Sequence, residues 1–140
     1  PDLFDAIPDV FDAPFVRWLS RGSGQSRMNV VPQGTVSRCK VVGLYFSASW
    51  CPPCRQFTPL LIEGRSKIHQ KHGEDSFEVV LVPRDRSKAA WVEHLSQLPW
   101  LSLPFGHEMV WKLKEHFAVA QLPRLVVIDD AGRVLNENAR

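Results

Sequence analysis

Residues 41–57 read VVGLYFSASWCPPCRQF, and this stretch decides the fold. It opens with a continuous apolar run, Val41–Phe46, which is rich in strand-forming residues and suits a central strand buried on both faces. Two cysteines, Cys51 and Cys54, follow with two prolines between them. Apolar residues then recur at helical spacing as far as Gly73, where a helix can end. The stretch therefore predicts a buried strand, a cysteine pair and a long helix in succession.

Strand and helix patterns alternate along the rest of the chain. Apolar runs predict strands at residues 28–31, 77–82, 101–103 and 125–128, and a hairpin that returns over 133–135. Periodic apolar positions predict helices after Ser87, over Met109–Phe117 and, briefly, over Phe15–Leu19 with an end at Arg21–Gly24. This order predicts an α/β fold, a central mixed β-sheet with helices on both faces. We expect residues 1–14 to be an irregular lead-in and residues 15–140 to be the domain.

Composition narrows the class of protein. The chain has 140 residues, enough for one domain, and 44% of them are hydrophobic. A formal net charge of +2 is too small to indicate nucleic-acid binding, and no apolar stretch approaches the roughly 18 residues of a membrane span. Three cysteines are too few for a disulfide-framed secreted domain. We therefore expect a monomeric, cytoplasmic protein that binds neither nucleic acid nor membrane.

The cysteine pair has three interpretations. His69 and His72 follow Cys51 and Cys54 with spacing that loosely imitates a zinc site. A helix rises about 1.5 Å per residue, which would place the histidines roughly 20 Å from the thiols, too far to share one ion. A disulfide across two residues closes a very small loop, so a purely structural staple would stabilise the fold little.

The third interpretation, a redox pair, fits the placement of Cys51. A thiol at a helix N-terminus faces unpaired N–H groups and the positive end of the helix dipole, and both stabilise a thiolate. The thiolate is the species that attacks a disulfide. Pro52 and Pro53 suit the first helical turn, where a missing N–H costs little. The pattern therefore favours redox chemistry.

Three segments resemble a known family. SASWCPPCR at residues 47–55, followed by FTP at 57–59, is similar to the active-site segment of tryparedoxins and nucleoredoxins, members of the thioredoxin superfamily. LPWLSLPF at 98–105 resembles their PWLxxPF segment, and residues 117–129 resemble the run into their cis-proline loop. The resemblance covers roughly residues 15–140, without a counterpart of the family's final helix. It implies a thioredoxin-like fold and dithiol–disulfide exchange with no cofactor beyond the cysteine pair.

The resemblance also implies roles. Cys51 would be the exposed nucleophile and Cys54 the resolving thiol, with Leu122-Pro123 as a cis peptide facing them. Implied partners are disulfide-containing proteins such as a peroxiredoxin, and a reductase or a low-molecular-weight dithiol such as trypanothione as electron donor. The alternative is a nucleoredoxin-like, redox-regulated interaction domain with little turnover. The substrate-binding positions implied are Trp50, Pro52, Pro53, Leu122 and Pro123.

Three arginines depart from the tryparedoxin pattern. Arg84-Asp85-Arg86 stands where tryparedoxins usually carry Trp-Asp-Glu and is closer to nucleoredoxins, and Arg124 stands where Thr is usual. We expect Arg84, Arg86 and Arg124 to form a basic, substrate-binding rim. Such a rim would repel the positive charge of trypanothione and favour an acidic partner.

Other residues invite functional readings but are better explained by packing. Cys39 is expected to be an ordinary residue at a strand edge, with a regulatory or intermolecular thiol as the alternative. Trp91 and Trp111 lie at helical spacing with apolar residues and are predicted to be in the core. Tyr45 stands where many thioredoxins carry a buried acid, so we expect water to accept the proton of the second thiol. His94 has no role assigned from the sequence.

Overall fold

A single mixed β-sheet organises the part of the chain that the computed structural model describes, residues 10–20 and 26–140. Its strands are β1 (Val16–Ser20), β2 (Ser26–Val30), β3 (Val41–Ser47), β4 (Phe77–Pro83), β5 (Leu101–Ser102), β6 (Arg124–Asp129) and β7 (Val134–Asn136). They lie in the order β2-β1-β5-β4-β3-β6-β7, with β3–β4 and β4–β5 parallel and the other pairs antiparallel. The helices are α1 (Pro52–His72), α2 (Lys88–Leu95) and α3 (Glu108–His116).

Successive side chains of the central strands point into two separate hydrophobic layers. In β3, Leu44 and Phe46 pack with the buried face of α3, whereas Tyr45 between them packs with apolar residues of α1 and α2. β4 alternates in the same way. This period of two explains why the strand is apolar along its whole length, because both faces of the sheet are covered. The predicted mixed sheet with helices on both faces is confirmed.

The long helix begins and ends where the sequence predicts. Pro52 and Pro53 occupy its first positions, which have no intrahelical partner for an N–H, and Cys51 is the N-cap. Gly73 ends the helix with φ at +91°, a conformation that other residues adopt at a cost, and its N–H bonds to the carbonyl of His69. The 21-residue helix places Cys51 at the edge of the sheet at which β3 and β4 end.

Two predictions were wrong. Residues 15–19 do not form a helix, because Val16–Ser20 is strand β1, paired along its length with β2 and through Val16 and Arg17 with β5. Sheet pairing outweighs the weak helical pattern of so short a segment. Trp111 is not a core residue, since 56% of it is exposed on α3, whereas Trp91 is buried as predicted.

The described residues include only part of the predicted N-terminal lead-in and of the segment that follows residue 20. Residues 1–9 of the predicted lead-in, and the predicted helix end at residues 21–24, lie outside the described residues. Val10–Asp12 form one 3-10 turn, and the Val10 side chain is buried in the layer that contains α3. Within the described ranges, no helix has the length and apolar character needed to cross a membrane.

Candidate active site

Four segments distant in the sequence meet where β3 and β4 end. The residues after β3 lead into α1, and those after β4 form a loop over residues 84–87. β6 is antiparallel to β3, so its start lies at the same edge, with Arg124 opposite Phe46. The loop before β6 brings Leu122 against a small buried cluster of Ala48 and the two cysteines. The peptide bond between Leu122 and Pro123 is cis, as the resemblance implies.

Cys51 receives a hydrogen bond from its own helix. Its Sγ accepts the N–H of Cys54 at 3.4 Å, and its carbonyl accepts the N–H of Arg55 at 3.2 Å. Because the intervening prolines have no N–H, that of Cys54 is the first helical donor to face the sulfur. A donor at this place, together with the helix dipole, stabilises negative charge on Cys51.

The predicted exposure of the nucleophile was wrong, because Cys51 is only 4% exposed and both thiols are buried. The environment of the Cys54 sulfur differs from that of Cys51. Cys54 is 1% exposed, and burial raises the pKa of its thiol to about 11. Its contact with the Cys51 thiol adds to this rise in pKa, while the Ser47 hydroxyl and the Ala48 backbone act in the opposite direction. Both cysteines are free thiols in this structure. The pair is therefore an asymmetric dithiol, with one sulfur facing a helical N–H and the other holding its proton at neutral pH.

The Tyr45 hydroxyl is hydrogen-bonded to the beginning of α1. It lies 2.8 Å from the Oγ1 of Thr58 and 3.4 Å from the carbonyl oxygen of Cys54, to which Thr58 also donates. Burial raises the pKa of the Tyr45 hydroxyl, so the phenol stays neutral. Tyr45 therefore positions the helix that carries Cys54 and is not an ionised base at neutral pH.

Asp85 and Arg84 hold the loop that precedes Cys51. One carboxylate oxygen of Asp85 accepts the Ser49 N–H at 2.8 Å, and the other lies 3.2 Å from Nδ1 of His94 on α2. The indole N–H of Trp50 donates to the carbonyl of Arg84 at 3.0 Å. These bonds tie the loop after β4 to both residues before Cys51. No pattern in the sequence indicates a role for His94, because its partner Asp85 lies in a different element.

A groove of about 560 Å³ lies beside Cys51 and is the candidate substrate site. It is formed by α1, the loop after β4, α3 and the loop before β6. Of the predicted substrate-binding residues it brings together Trp50, Pro52, Pro53, Leu122 and Arg84.

The predicted rim arginines divide into two groups. The guanidinium of Arg86 lies 4.7 Å from the centre of the Trp50 ring, next to the groove. The Nε of Arg124 instead donates to the carbonyl of Glu137 at 2.6 Å, and Arg124 does not line the groove. Lys114 of α3 does line it, although nothing in the sequence distinguishes this lysine from other surface lysines. Arg140 donates to the carbonyl of Pro123 at 3.2 Å and so supports the cis-proline loop.

The histidines of the zinc interpretation lie far from the cysteines. Cys54 is in the first turn of α1, and His69 and His72 are in its last turn. The Nε2 of His69 is hydrogen-bonded to the carbonyl of Phe77 at 2.7 Å. Among the residues whose placement is described, no group of three or more His, Cys, Asp or Glu side chains could hold a metal ion.

Cys39 lies apart from this site. It is buried, with its Sγ 3.7 Å from the carbonyl of Thr35. Burial raises the pKa of its thiol to about 11, and the charges of Glu78 and Asp75 contribute. A buried, protonated thiol is a poor nucleophile, which favours the structural interpretation of Cys39.

The sheet, the cysteine pair at the start of α1 and the cis-proline opposite it define a thioredoxin-like domain. A family model described as thioredoxin-like matches residues 39–134, and the chain belongs to this family of oxidoreductases. Tryparedoxin of Trypanosoma brucei brucei is 43% identical over 103 residues, which cover 72% of this chain and 69% of that protein. Nucleoredoxin of Xenopus laevis is 36% identical over 123 residues, which cover 87% of this chain but 28% of that protein. The chain thus spans less than a third of the nucleoredoxins that it matches.

Solved structures agree with this assignment. A thioredoxin of Wuchereria bancrofti superposes with a TM-score of 0.74 at 34% identity, covering 93% of this chain and 85% of that one. Tryparedoxin II complexed with glutathionylspermidine superposes with a TM-score of 0.67 at 33% identity, covering 86% and 79%. The predicted thioredoxin-like fold and the resemblance to tryparedoxins and nucleoredoxins are confirmed.

Proposed function

We propose that this domain is a thiol–disulfide oxidoreductase that uses the Cys51–Cys54 pair to reduce disulfides of partner proteins. The observation that carries the proposal is the asymmetry of the pair. The Sγ of Cys51 accepts a helical N–H at 3.4 Å, while Cys54 is buried one turn into the helix with a pKa of about 11. Cys51 is thus suited to be the attacking thiol, and Cys54 is suited to be the resolving thiol of the second exchange.

The reaction takes place in two exchanges. The Cys51 thiolate attacks one sulfur of the partner disulfide; an S–S bond forms to Cys51, and the other partner sulfur leaves as a thiolate that takes up a proton. Cys54 then loses its proton to water and attacks Cys51, which forms the Cys51–Cys54 disulfide and releases the second partner thiolate. Two electrons pass from the domain to the partner. An external dithiol returns them by the same exchanges in reverse.

Recognition of the partner rests on the groove beside Cys51. Trp50, Pro52 and Pro53 form its wall on the side of α1, and Leu122, which precedes the cis Pro123, lines it as well. An extended chain laid along this loop would bring its disulfide to Cys51 while its backbone meets that of Leu122, as in strand addition.

The similarity to tryparedoxins supports proposals for the electron donor and the electron acceptor of this domain. A complex of tryparedoxin II with glutathionylspermidine, a low-molecular-weight thiol, supports a donor of this kind, and we propose a low-molecular-weight dithiol or a reductase as the electron donor. We propose a disulfide-containing protein such as a peroxiredoxin as the acceptor. A monomer in a reducing compartment such as the cytoplasm suits a domain whose cysteines work as thiols.

A redox-regulated interaction domain is the second candidate, supported by the match to nucleoredoxins, proteins of which this chain covers only part. Such a domain would bind a partner according to the state of Cys51 and Cys54 and turn over slowly. Turnover separates the two candidates.

The test is the reduction of insulin disulfides in the presence of dithiothreitol. We expect wild type to accelerate the reaction and Cys51→Ser to abolish the acceleration, whereas pre-reduced Cys54→Ser mixed with insulin in the absence of dithiothreitol should accumulate a mixed disulfide. Cys39→Ser serves as the matched control and should retain activity, because Cys39 lies outside the site. Wild-type protein that reduces insulin no faster than Cys51→Ser would rule out the oxidoreductase.

A further inference from the structure

The groove beside Cys51 is positively charged. Arg84 and Lys114 both line it, one from the loop after β4 and the other from α3. The other described residues that line it are apolar or neutral, and none carries a carboxylate. The charge next to the reactive sulfur is therefore of one sign.

The backbone around Trp50 holds the two arginines in place. The N–H of Arg84 donates to the carbonyl of Ser47 at 2.9 Å, and the carbonyl of Arg84 accepts the Trp50 indole N–H. Arg86 stacks its guanidinium on the Trp50 ring. The guanidinium of Arg86 and the backbone of Arg84 are thus held next to Cys51, the neighbour of Trp50 in the chain.

Lys114, the positive residue that α3 contributes to the groove, is in contact with an aromatic ring. Its Nζ lies 5.6 Å from the ring centre of Trp111, an exposed residue one turn earlier on α3. Within residues 10–20 and 26–140, neither Lys114 nor the two arginines of the loop after β4 form a salt bridge with a carboxylate. Their charges are therefore available to a ligand.

Asp85, which lies between Arg84 and Arg86 in the chain, does not form an ion pair with either arginine. The Asp85 carboxylate is fully buried, and its two oxygens are engaged by the Ser49 N–H and by His94. The loop after β4 therefore presents two positive side chains to solvent while its negative group lies inside.

We propose that the groove binds an extended, acidic segment of a partner protein, with carboxylates on both sides of the cysteine whose disulfide is reduced. The inference rests on the proposed function and names its substrate class. Carboxylates flanking that cysteine would meet Arg84 and Arg86 of the loop after β4 and Lys114 of α3. Charge complementarity of this kind accelerates encounter by about tenfold or more at low ionic strength, and salt removes the gain.

The same charges disfavour cationic substrates. A disulfide whose flanking groups carry amines would meet like charges beside Cys51, which slows encounter and weakens binding. Glutathionylspermidine, the ligand named for tryparedoxin II, contains such an amine chain. The domain should therefore reduce acidic disulfides in preference to cationic ones.

The test uses three disulfide-linked peptides that differ only in having Glu, Gln or Lys on both sides of the cysteine. Pre-reduced protein and peptide are mixed in a stopped-flow instrument, and cleavage is followed by the release of a quenched fluorophore. We expect the Glu peptide to react at least about tenfold faster than the Lys peptide in dilute buffer, with the ratio approaching one as sodium chloride is added. Equal rates for the three peptides in dilute buffer would overturn the inference.

Charge-reversal variants locate the effect. Arg84→Glu combined with Lys114→Glu should reverse the preference between the Glu and Lys peptides. Lys71→Glu makes a change of the same sign at the far end of α1 and should leave the ratio as in wild type. A ratio that is unchanged in the double variant would also overturn the inference.

Two further measurements separate this inference from the proposed function. Hydroxyethyl disulfide is small and uncharged, so its reduction reports the intrinsic reactivity of Cys51, and the peptide rates of each variant are divided by it before the ratios are compared. If no disulfide reacts, the proposed function fails, and equilibrium binding of the reduced peptides to Cys51→Ser protein still decides the preference. Tighter binding of the Glu peptide supports the acidic groove, and equal binding of the Glu and Lys peptides contradicts it.

Discussion

Cys54 is 1% exposed, and in the proposed mechanism its sulfur attacks that of Cys51. Burial raises the pKa of Cys54 to about 11, which keeps the thiol protonated at neutral pH. In the proposed mechanism the mixed disulfide therefore persists until this proton leaves, and the second exchange is the pH-sensitive one.

We expect the second exchange to accelerate with pH well beyond the range in which an ordinary cysteine titrates. Burial, the largest cause of the raised pKa of Cys54, remains when Cys51 is in the mixed disulfide, and the thiolate fraction rises about tenfold per pH unit below the pKa. Single-turnover reduction of a disulfide peptide between about pH 7 and about pH 10 would show two thiol-release phases, of which the second should keep rising. A second phase that levels off near about pH 8.5, the value of a free cysteine, would contradict this.

Asp85 should stabilise the loop that carries Trp50. Hydrogen bonds to charged groups contribute about 1.5–3 kcal/mol, so we expect Asp85→Ala to lower the free energy of unfolding by about that amount in urea titrations. Asp85→Asn keeps an oxygen for the Ser49 N–H and should lose less. Equal losses in the two variants would show that the bond to Ser49 contributes little.

Elements form where local pattern and sheet pairing agree. Val41–Phe46 and Phe77–Val82 were predictable because a strand covered on both faces must be apolar throughout. β1 was not predictable, because residues 15–19 carry no clear period and their conformation is set by pairing with the neighbouring strand β2 and with β5, which is distant in the sequence. Trp111 was misplaced for a similar reason, since spacing on a helix does not show which face meets the sheet.

Gly64 lies in the interior of α1 and offers a stabilising substitution. A Cβ built at this position meets nothing within 4 Å, so Gly64→Ala should raise the free energy of unfolding by about 0.5–1 kcal/mol through its helix propensity. Gly73→Ala is the matched control. Its φ of +91° strains any other residue, so that variant should lose stability. Urea unfolding of both variants tests the prediction, which is wrong if Gly64→Ala is not stabilised.

Only part of the candidate site could be predicted from the sequence, because the site is formed by several elements of the fold. The reactive pair was predictable because WCPPCR carries its chemistry locally, at the junction of a strand and a helix. The contacts of Asp85 with His94 and the position of Lys114 were not predictable, because each depends on how separate elements pack. The same applies to Arg124, whose side chain bonds to the C-terminal segment and not to the groove.

Stability of the whole domain should fall at alkaline pH. The pKa values of Cys39 and Cys54 are both raised from 9.0 to about 11, so the folded state favours the protonated thiols. Their contribution is complete below about pH 9 and is lost as pH rises through about 11. Urea unfolding under reducing conditions should show this decline, and Cys39→Ala should make it shallower. An identical decline in wild type and Cys39→Ala would show that Cys39 does not contribute.

The position of Trp50 gives the domain an optical reporter of its own. Trp50 is 44% exposed and its ring centre lies 4.7 Å from the guanidinium of Arg86, while Trp91 and Trp100 are buried. An acidic segment that draws Arg86 away from the ring alters the polarity around Trp50; the exposed Trp111 beside Lys114 can respond as well, whereas the two buried tryptophans are unaffected. The emission of Trp50, isolated by subtracting that of Trp50→Phe protein, would therefore follow occupancy of the groove without any label.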